Sequence, residues 1–119
     1  MKFVVQEHFA SHHHFDFRLE MDEMAKSWAI PKNMPEGKEK RLAIQVEDHT
    51  VEYMDFEGEI PEGMYGAGKV SIWDKGEYEL IKKEEKEIEV QLSGQKLKGK
   101  YVLIKFPKGG KNAWLIQKI

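Results

Sequence analysis

The stretch Gln6-Glu7-His8-Phe9-Ala10-Ser11-His12-His13-His14-Phe15-Asp16-Phe17-Arg18-Leu19-Glu20 gathers the most chemically capable side chains of the chain. In a β-strand every second side chain points to the same face, so His14, Asp16 and Arg18 share one face and Phe15, Phe17 and Leu19 the other. Same-face neighbours stand ~6.6 Å apart. An imidazole and a carboxylate close that gap by converging on a cation at ~2.1 Å. His8 lies upstream, across a break containing Ala10 and Ser11 that lets it fold back as a third ligand. Two imidazoles and one carboxylate suit Mn²⁺, Zn²⁺ or Fe²⁺. Arg18, one step beyond Asp16, adds a guanidinium, which clamps phosphate oxygens well. Metal plus arginine points to phosphoryl chemistry rather than to a structural zinc, which would use four protein ligands. A carboxylate flanked by phenylalanines needs a partner if it is buried. His12 and His13 read as a polar strand edge, and His13 has the opposite parity.

A second cluster is Arg41-Leu42-Ala43-Ile44-Gln45-Val46-Glu47-Asp48-His49. With Leu42, Ile44 and Val46 placed in the core, Arg41, Glu47 and His49 fall on the opposite face. Arg41 can hold an anion, His49 can donate a proton or a hydrogen bond to a phosphate, and Glu47 can orient either. An ordinary solvated strand face would look the same. Gly63-Met64-Tyr65-Gly66-Ala67-Gly68 fits neither the P-loop nor the dinucleotide fingerprint, and no helix pattern follows it. A sharp turn or bulge at a sheet corner is expected there. Trp28, Trp73 and Trp114 are expected as core or rim aromatics.

The elements that must position these groups are strands. Period-two alternation recurs at 14–20, 41–47, 70–73, 88–92, 101–106 and 114–116, while amphipathic helix patterns are poor throughout. Turn chemistry separates the runs: Pro31 to Gly37, Gly58 to Gly68, Ser93-Gly94 and Pro107 to Gly110. The all-charged Lys82 to Glu87 reads as a solvated hairpin end. Short, mostly antiparallel strands at this spacing predict an all-β fold, a small closed or nearly closed β-barrel, with a sandwich as the alternative. The 119 residues suffice for one domain, 1–119, with one core. No apolar run approaches the ~20 residues of a membrane span. The chain has no cysteine, so disulfides and thiolate metal sites are excluded, and a cytoplasmic monomer is the simplest expectation. With 19 basic and 21 acidic residues the net charge is −2, not the basic excess of a protein that coats duplex DNA. Any meeting with nucleic acid should be local, as at an end.

Nine strings in order carry a resemblance: Val4-Val5-Gln6-x-His8, Ala10-Ser11, His14-x-Asp16-Phe17-Arg18-Leu19-Glu20, Lys26-Ser27-Trp28-Ala29-x-Pro31-Lys32, Lys40-Arg41-Leu42-Ala43, Val46-Glu47-Asp48-His49 with Glu52-Tyr53, Phe56-Glu57-Gly58-x-Ile60-Pro61-x-Gly63, Tyr65-Gly66-Ala67-Gly68 and Trp73-Asp74-x-Gly76. Together they resemble the 3′-phosphoesterase domain of bacterial DNA ligase D, which also occurs free-standing in archaea. The resemblance implies a Mn²⁺-dependent enzyme on a small β-barrel that cleans DNA 3′ ends in end-joining repair. It would remove a 3′-terminal ribonucleoside and then the remaining 3′-phosphate, leaving a 3′-hydroxyl. It places metal ligands at His8, His14 and Asp16, with Zn²⁺ or Co²⁺ as alternative ions. Phosphate-contacting and catalytic positions fall at Arg18, Lys32, Arg41, His49 and Tyr53, with Gln6 and Glu47 in support. Arg18 and His49 are the expected catalytic pair.

Three departures stand out. The family usually has Arg-Leu at His12-His13 and Tyr at Phe15, and often a glycine near Met24. Larger members also carry a preceding segment associated with the diesterase step, so monoesterase activity is the main expectation for this chain. Expected partners are DNA or DNA/RNA 3′ ends, with ligase and polymerase as separate chains. The same ligand set also fits two other classes: a non-haem Fe(II) oxygenase, with Arg18 and Arg41 binding a carboxylate cosubstrate, and a non-catalytic module that grips DNA ends.

Overall fold

Each alternating run becomes a strand and each turn cluster a connection. The computed structural model describes residues 1–119 and contains β1 (Lys2–Phe9), β2 (His14–Met21), β3 (Met24–Ile30), β4 (Lys40–His49), β5 (Gly58–Ile60), β6 (Gly68–Lys83), β7 (Glu87–Ser93), β8 (Lys98–Lys105) and β9 (Ala113–Lys118). The only helical pieces are 3-10 turns at Val51–Asp55 and Pro107–Gly109. No helix is long and apolar enough to cross a membrane. The strands pair in the order β1-β2-β3-β4-β9-β8-β7-β6, and β6 pairs back onto β1. All pairings are antiparallel, so eight strands close a barrel, and β5 adds to the outer part of β6. Closure removes the edges that the alternative sandwich would expose.

The inner face holds Phe3, Val5, Phe15, Phe17, Leu19, Trp28, Tyr101 and Trp114 in one buried cluster. Phe17 lies opposite Trp28 across β2 and β3 with ring centroids 6.2 Å apart, and Trp28 meets Trp114 edge-on at 6.0 Å. Met34 is fully buried in the loop between β3 and β4, and Tyr101 donates its hydroxyl to the Pro35 carbonyl at 2.9 Å. Asp22 and Glu23, at φ 55° and 68°, join β2 to β3 in a two-residue turn. The buried Asp74 carboxylate accepts the backbone N–H groups of Lys75, Gln95, Lys96 and Leu97, at 2.8–3.1 Å. It thereby clamps the β7–β8 turn to β6.

Strand β4 departs from expectation. Leu42 and Val46 are exposed rather than in the core, and the wholly buried residue of the strand is Ala43. The alternation is present but its apolar side faces outward. A bulge also breaks the parity: Ser27 pairs with Val46, yet Ala25 pairs with His49. Glu47 and Asp48 take up the extra length, and His49 rotates onto the same outer side as Val46. It therefore does not share a face with Arg41.

Candidate metal centre

On β1 and β2, the residues that alternate with the inner aromatics face outward: Val4, Gln6 and His8 on one strand, Asp16 and Arg18 on the other. Gln6 pairs with Asp16 and His8 with His14 in the register. This outer surface is covered rather than solvated. The turn over Val51–Asp55 packs Met54 and Val51 against Val4, Ala25 and Ile72, so Gln6, Asp16, Arg18 and Ser27 are all buried.

Asp16 is the hub. Its Oδ2 lies 3.6 Å from His8 Nδ1, 3.4 Å from His14 Nε2 and 3.6 Å from Arg18 Nη2. One ligand atom from each of His8, His14 and Asp16 falls within 4.8 Å of the others. The remaining ring nitrogens are committed elsewhere. His8 Nε2 donates to the Gly66 carbonyl and His14 Nδ1 to the His12 carbonyl, both at 2.8 Å. A nitrogen that carries the donated proton leaves its partner with the lone pair. When both imidazoles are neutral, their lone pairs face the space beside the Asp16 oxygen, the arrangement metal-binding histidines use. The donor set fits a divalent ion with open coordination positions.

Without an ion these groups lean on one another. Burial pushes the Asp16 carboxyl up, but the His14 hydrogen bond and the charges of Arg18, His14 and His8 outweigh it and hold the pKa below the ordinary value. The hydrogen bond that protonated His14 donates to Asp16 raises His14 above the usual 6.5, against its burial.

Arg18 is held from three directions. Its Nε donates to Gln6 Oε1 at 2.6 Å, its Nη1 to Ser27 Oγ at 2.7 Å, and its Nη2 faces Asp16. A guanidinium has five N–H donors, so these contacts fix its plane without exhausting it. The Tyr53 ring lies 5.0 Å from the guanidinium carbon. Gln6 links this arginine to the overlying turn, donating its amide to the Tyr53 and Phe56 carbonyls at 2.8 and 3.2 Å. His49 stacks on Tyr53 at 4.5 Å, and Tyr53 on Phe56 at 5.2 Å. Burial, and then the Arg18 charge, lower the His49 pKa. A neutral imidazole follows for His49 at neutral pH.

A cleft of about 540 Å³ opens over the cluster, lined by His8, His14, Asp16, Arg18, Glu47, His49 and Tyr53 among others. That volume accommodates a nucleotide-sized ligand. Gln6 lies beneath it. Lys32 and Arg41 are not part of the lining; Lys32 is exposed at the start of the following loop, and Arg41 Nε donates to Asn33 Oδ1 at 3.1 Å. His12 contributes its carbonyl. His13 bonds Glu7 at 2.8 Å and stacks on Phe9.

Ser27 and Gly66 were not singled out from the sequence. Ser27 is recognisable only once β2 and β3 are in register, opposite Arg18. Gly66 acts through its backbone and sits at φ +77°, where a side chain would be strained.

Fold and site together define a small β-barrel carrying a cluster that could hold a metal ion and a fixed guanidinium, a pocket suited to an anionic ester. The chain belongs to the DNA ligase D 3′-phosphoesterase domain family, whose family model matches residues 6–105. It is 50% identical over 108 residues to the multifunctional non-homologous end joining DNA repair protein LigD of Mycobacterium tuberculosis, covering 87% of this chain and 14% of that protein. It is 46% identical over 130 aligned positions to the LigD protein of Mycolicibacterium smegmatis, covering 99% of the chain and 17% of the relative. For that of Pseudomonas aeruginosa the identity is 44% over 125 positions, covering 99% and 15%. The chain thus spans a small fraction of the length of the curated relatives it matches. Membership in this family groups the chain with phosphoesterases rather than with oxygenases.

Proposed function

We propose that the protein restores 3′-hydroxyl ends on DNA by hydrolysing 3′-phosphates, and 3′-terminal ribonucleosides where they occur, in the end-joining repair that its relatives' names describe. The convergence of His8 Nδ1, His14 Nε2 and Asp16 Oδ2, with both spare ring nitrogens tied to backbone carbonyls, carries this reading. Mn²⁺ is the ion proposed, with Zn²⁺ and Co²⁺ as substitutes; bound there, it would neutralise phosphate charge and favour an attacking water.

The protein's own groups do the rest. Arg18, immobilised by Gln6 and Ser27, offers its remaining N–H donors to non-bridging oxygens as negative charge shifts in the transition state. Because those contacts are preformed, little reorganisation is needed when substrate arrives. His49, neutral and braced by Tyr53, donates a hydrogen bond to the phosphate. Glu47, exposed at the rim, is placed to orient groups at the cleft edge. Lys32 and Arg41, outside the lining, are proposed to meet phosphates further along the strand.

The test is a 5′-labelled strand ending in a 3′-phosphate or a 3′-ribonucleotide, incubated with chelator and then with Mn²⁺, Zn²⁺ or Co²⁺. Metal-dependent appearance of a 3′-hydroxyl product, abolished by His14→Ala, is expected. Turnover that survives chelation or His14→Ala would refute the proposal.

A further inference from the structure

Tyr65 is fully exposed at the tip of the loop between β5 and β6, beside Met64, itself 60% exposed. Isolated exposed apolar residues are ordinary; the backbone beside this one is tied to the candidate metal centre. The next residue, Gly66, accepts the hydrogen bond that orients His8. Met64 is held by the Pro61 carbonyl and Ala67 by the Met64 carbonyl, at 3.2 and 3.1 Å. The backbone that carries Tyr65 is therefore a tight turn tied to His8.

Tyr65 lines both the metal cleft and a groove that continues from it along Val46, Glu47 and Asp48 to Asn112. Glu47 and Asp48 line both, but the groove has no cationic residue to match Arg18 in the metal cleft, so it is a poor path for a phosphodiester backbone. An uncharged, flat, partly polar group suits it. A nucleobase is such a group, with Tyr65 for its face and the Asn112 amide within the same groove for its edge.

We propose that Tyr65 is the platform on which the base of the 3′-terminal nucleotide stacks while its phosphate occupies the metal centre. This rests on the phosphoesterase reading above and deepens it. Stacking tolerates any base, as an enzyme acting on arbitrary ends requires. It would give the enzyme a preference for ends that carry a base over ends that lack one.

The experiment compares two oligonucleotides with 3′-phosphates, one with a normal terminal base and one abasic at that nucleotide, for wild type, Tyr65→Ala and Tyr65→Trp. Wild type should favour the base-bearing end in kcat/KM. Tyr65→Ala should lose about 5- to 150-fold of that preference, the range set by aromatic–base stacking, while Tyr65→Trp keeps it. A ratio unchanged in Tyr65→Ala would overturn the proposal.

A second arm needs no turnover: terminal 2-aminopurine fluorescence, quenched on binding wild type and Tyr65→Trp but not Tyr65→Ala. Equal quenching in all three would also overturn it. Quenching without turnover under any metal would instead count against the phosphoesterase reading and leave stacking supported.

Discussion

Two residues make the chemistry of this site testable through protonation. Asp16 is held below its ordinary pKa, so what it contributes to stability is present above 3.8 and lost as pH falls through its depressed value. His14 is held above 6.5, so its contribution is complete below 6.5 and lost as pH rises through its raised value. The metal-free pair therefore helps most between those two limits. Above the upper limit the neutral His14 imidazole exposes its lone pair to a cation, and its proton no longer competes with the ion. Added Mn²⁺ should raise Tm more at pH 8 than at pH 5.5, as thermal unfolding will show; an equal or larger shift in acid would contradict the ligand assignment. His49 tests a different point. Its pKa is lowered by burial and by Arg18, which suits a neutral donor to phosphate. His49→Gln, which keeps an N–H, should retain at least about tenfold more kcat than His49→Ala, a typical margin for a hydrogen bond to a charged group. Equal losses would favour proton transfer instead.

At the scale of elements, β2 was legible and β4 only half so. The period-two pattern of His14 to Glu20 separates the candidate ligands from the core, and Phe15, Phe17 and Leu19 do pack inside. In β4 the same pattern exists with its sense reversed, since Leu42 and Val46 lie outside. Alternation reveals that two faces differ but not which one meets the core, and a face beside a binding groove can also be apolar. The bulge at Glu47 and Asp48 left no local signature in composition, so the turn of His49 toward the metal cleft was hidden. Likewise, the tertiary pairing of Gln6 with the turn over Val51–Asp55 depends on chain reversal that no spacing encodes.

The β2–β3 turn makes the element-scale prediction. Glu23 adopts φ 68°, a left-handed conformation that costs a residue with a side chain about 1 kcal/mol relative to glycine. Its side chain is exposed, so nothing packed is lost on removal. Glycine's greater freedom in the unfolded chain offsets about half of that strain, so Glu23→Gly should stabilise the protein by about 0.5 kcal/mol in urea unfolding, with activity unaltered. Destabilisation would mean that the turn owes its shape to contacts of Glu23.

For the whole molecule, closure explains how a small barrel can carry a buried arginine and carboxylate outside its core. The aromatic interior secures the strands, and the turn over Val51–Asp55 shields the second, polar face. Closed antiparallel topology was foreseeable from strand spacing, whereas strand order, with β9 inserted between β4 and β8, was not. A net charge of −2 also bears on the proposed contact with DNA. Each phosphate neutralised contributes about 0.9 to the slope of log affinity against log salt. With a local site at a 3′ end, the slope for a 3′-phosphate oligonucleotide should be no steeper than about −3. A slope near −8 would instead demand an extended backbone interface.

The cation site is most directly examined by anomalous diffraction from a crystal grown with manganese. The expected result is one strong peak at ~2.1 Å from His8 Nδ1, His14 Nε2 and an Asp16 carboxylate oxygen, with Gly66 and His12 still holding the opposite ring nitrogens. No peak there, or a peak bound by other side chains while these three point apart, would contradict the account.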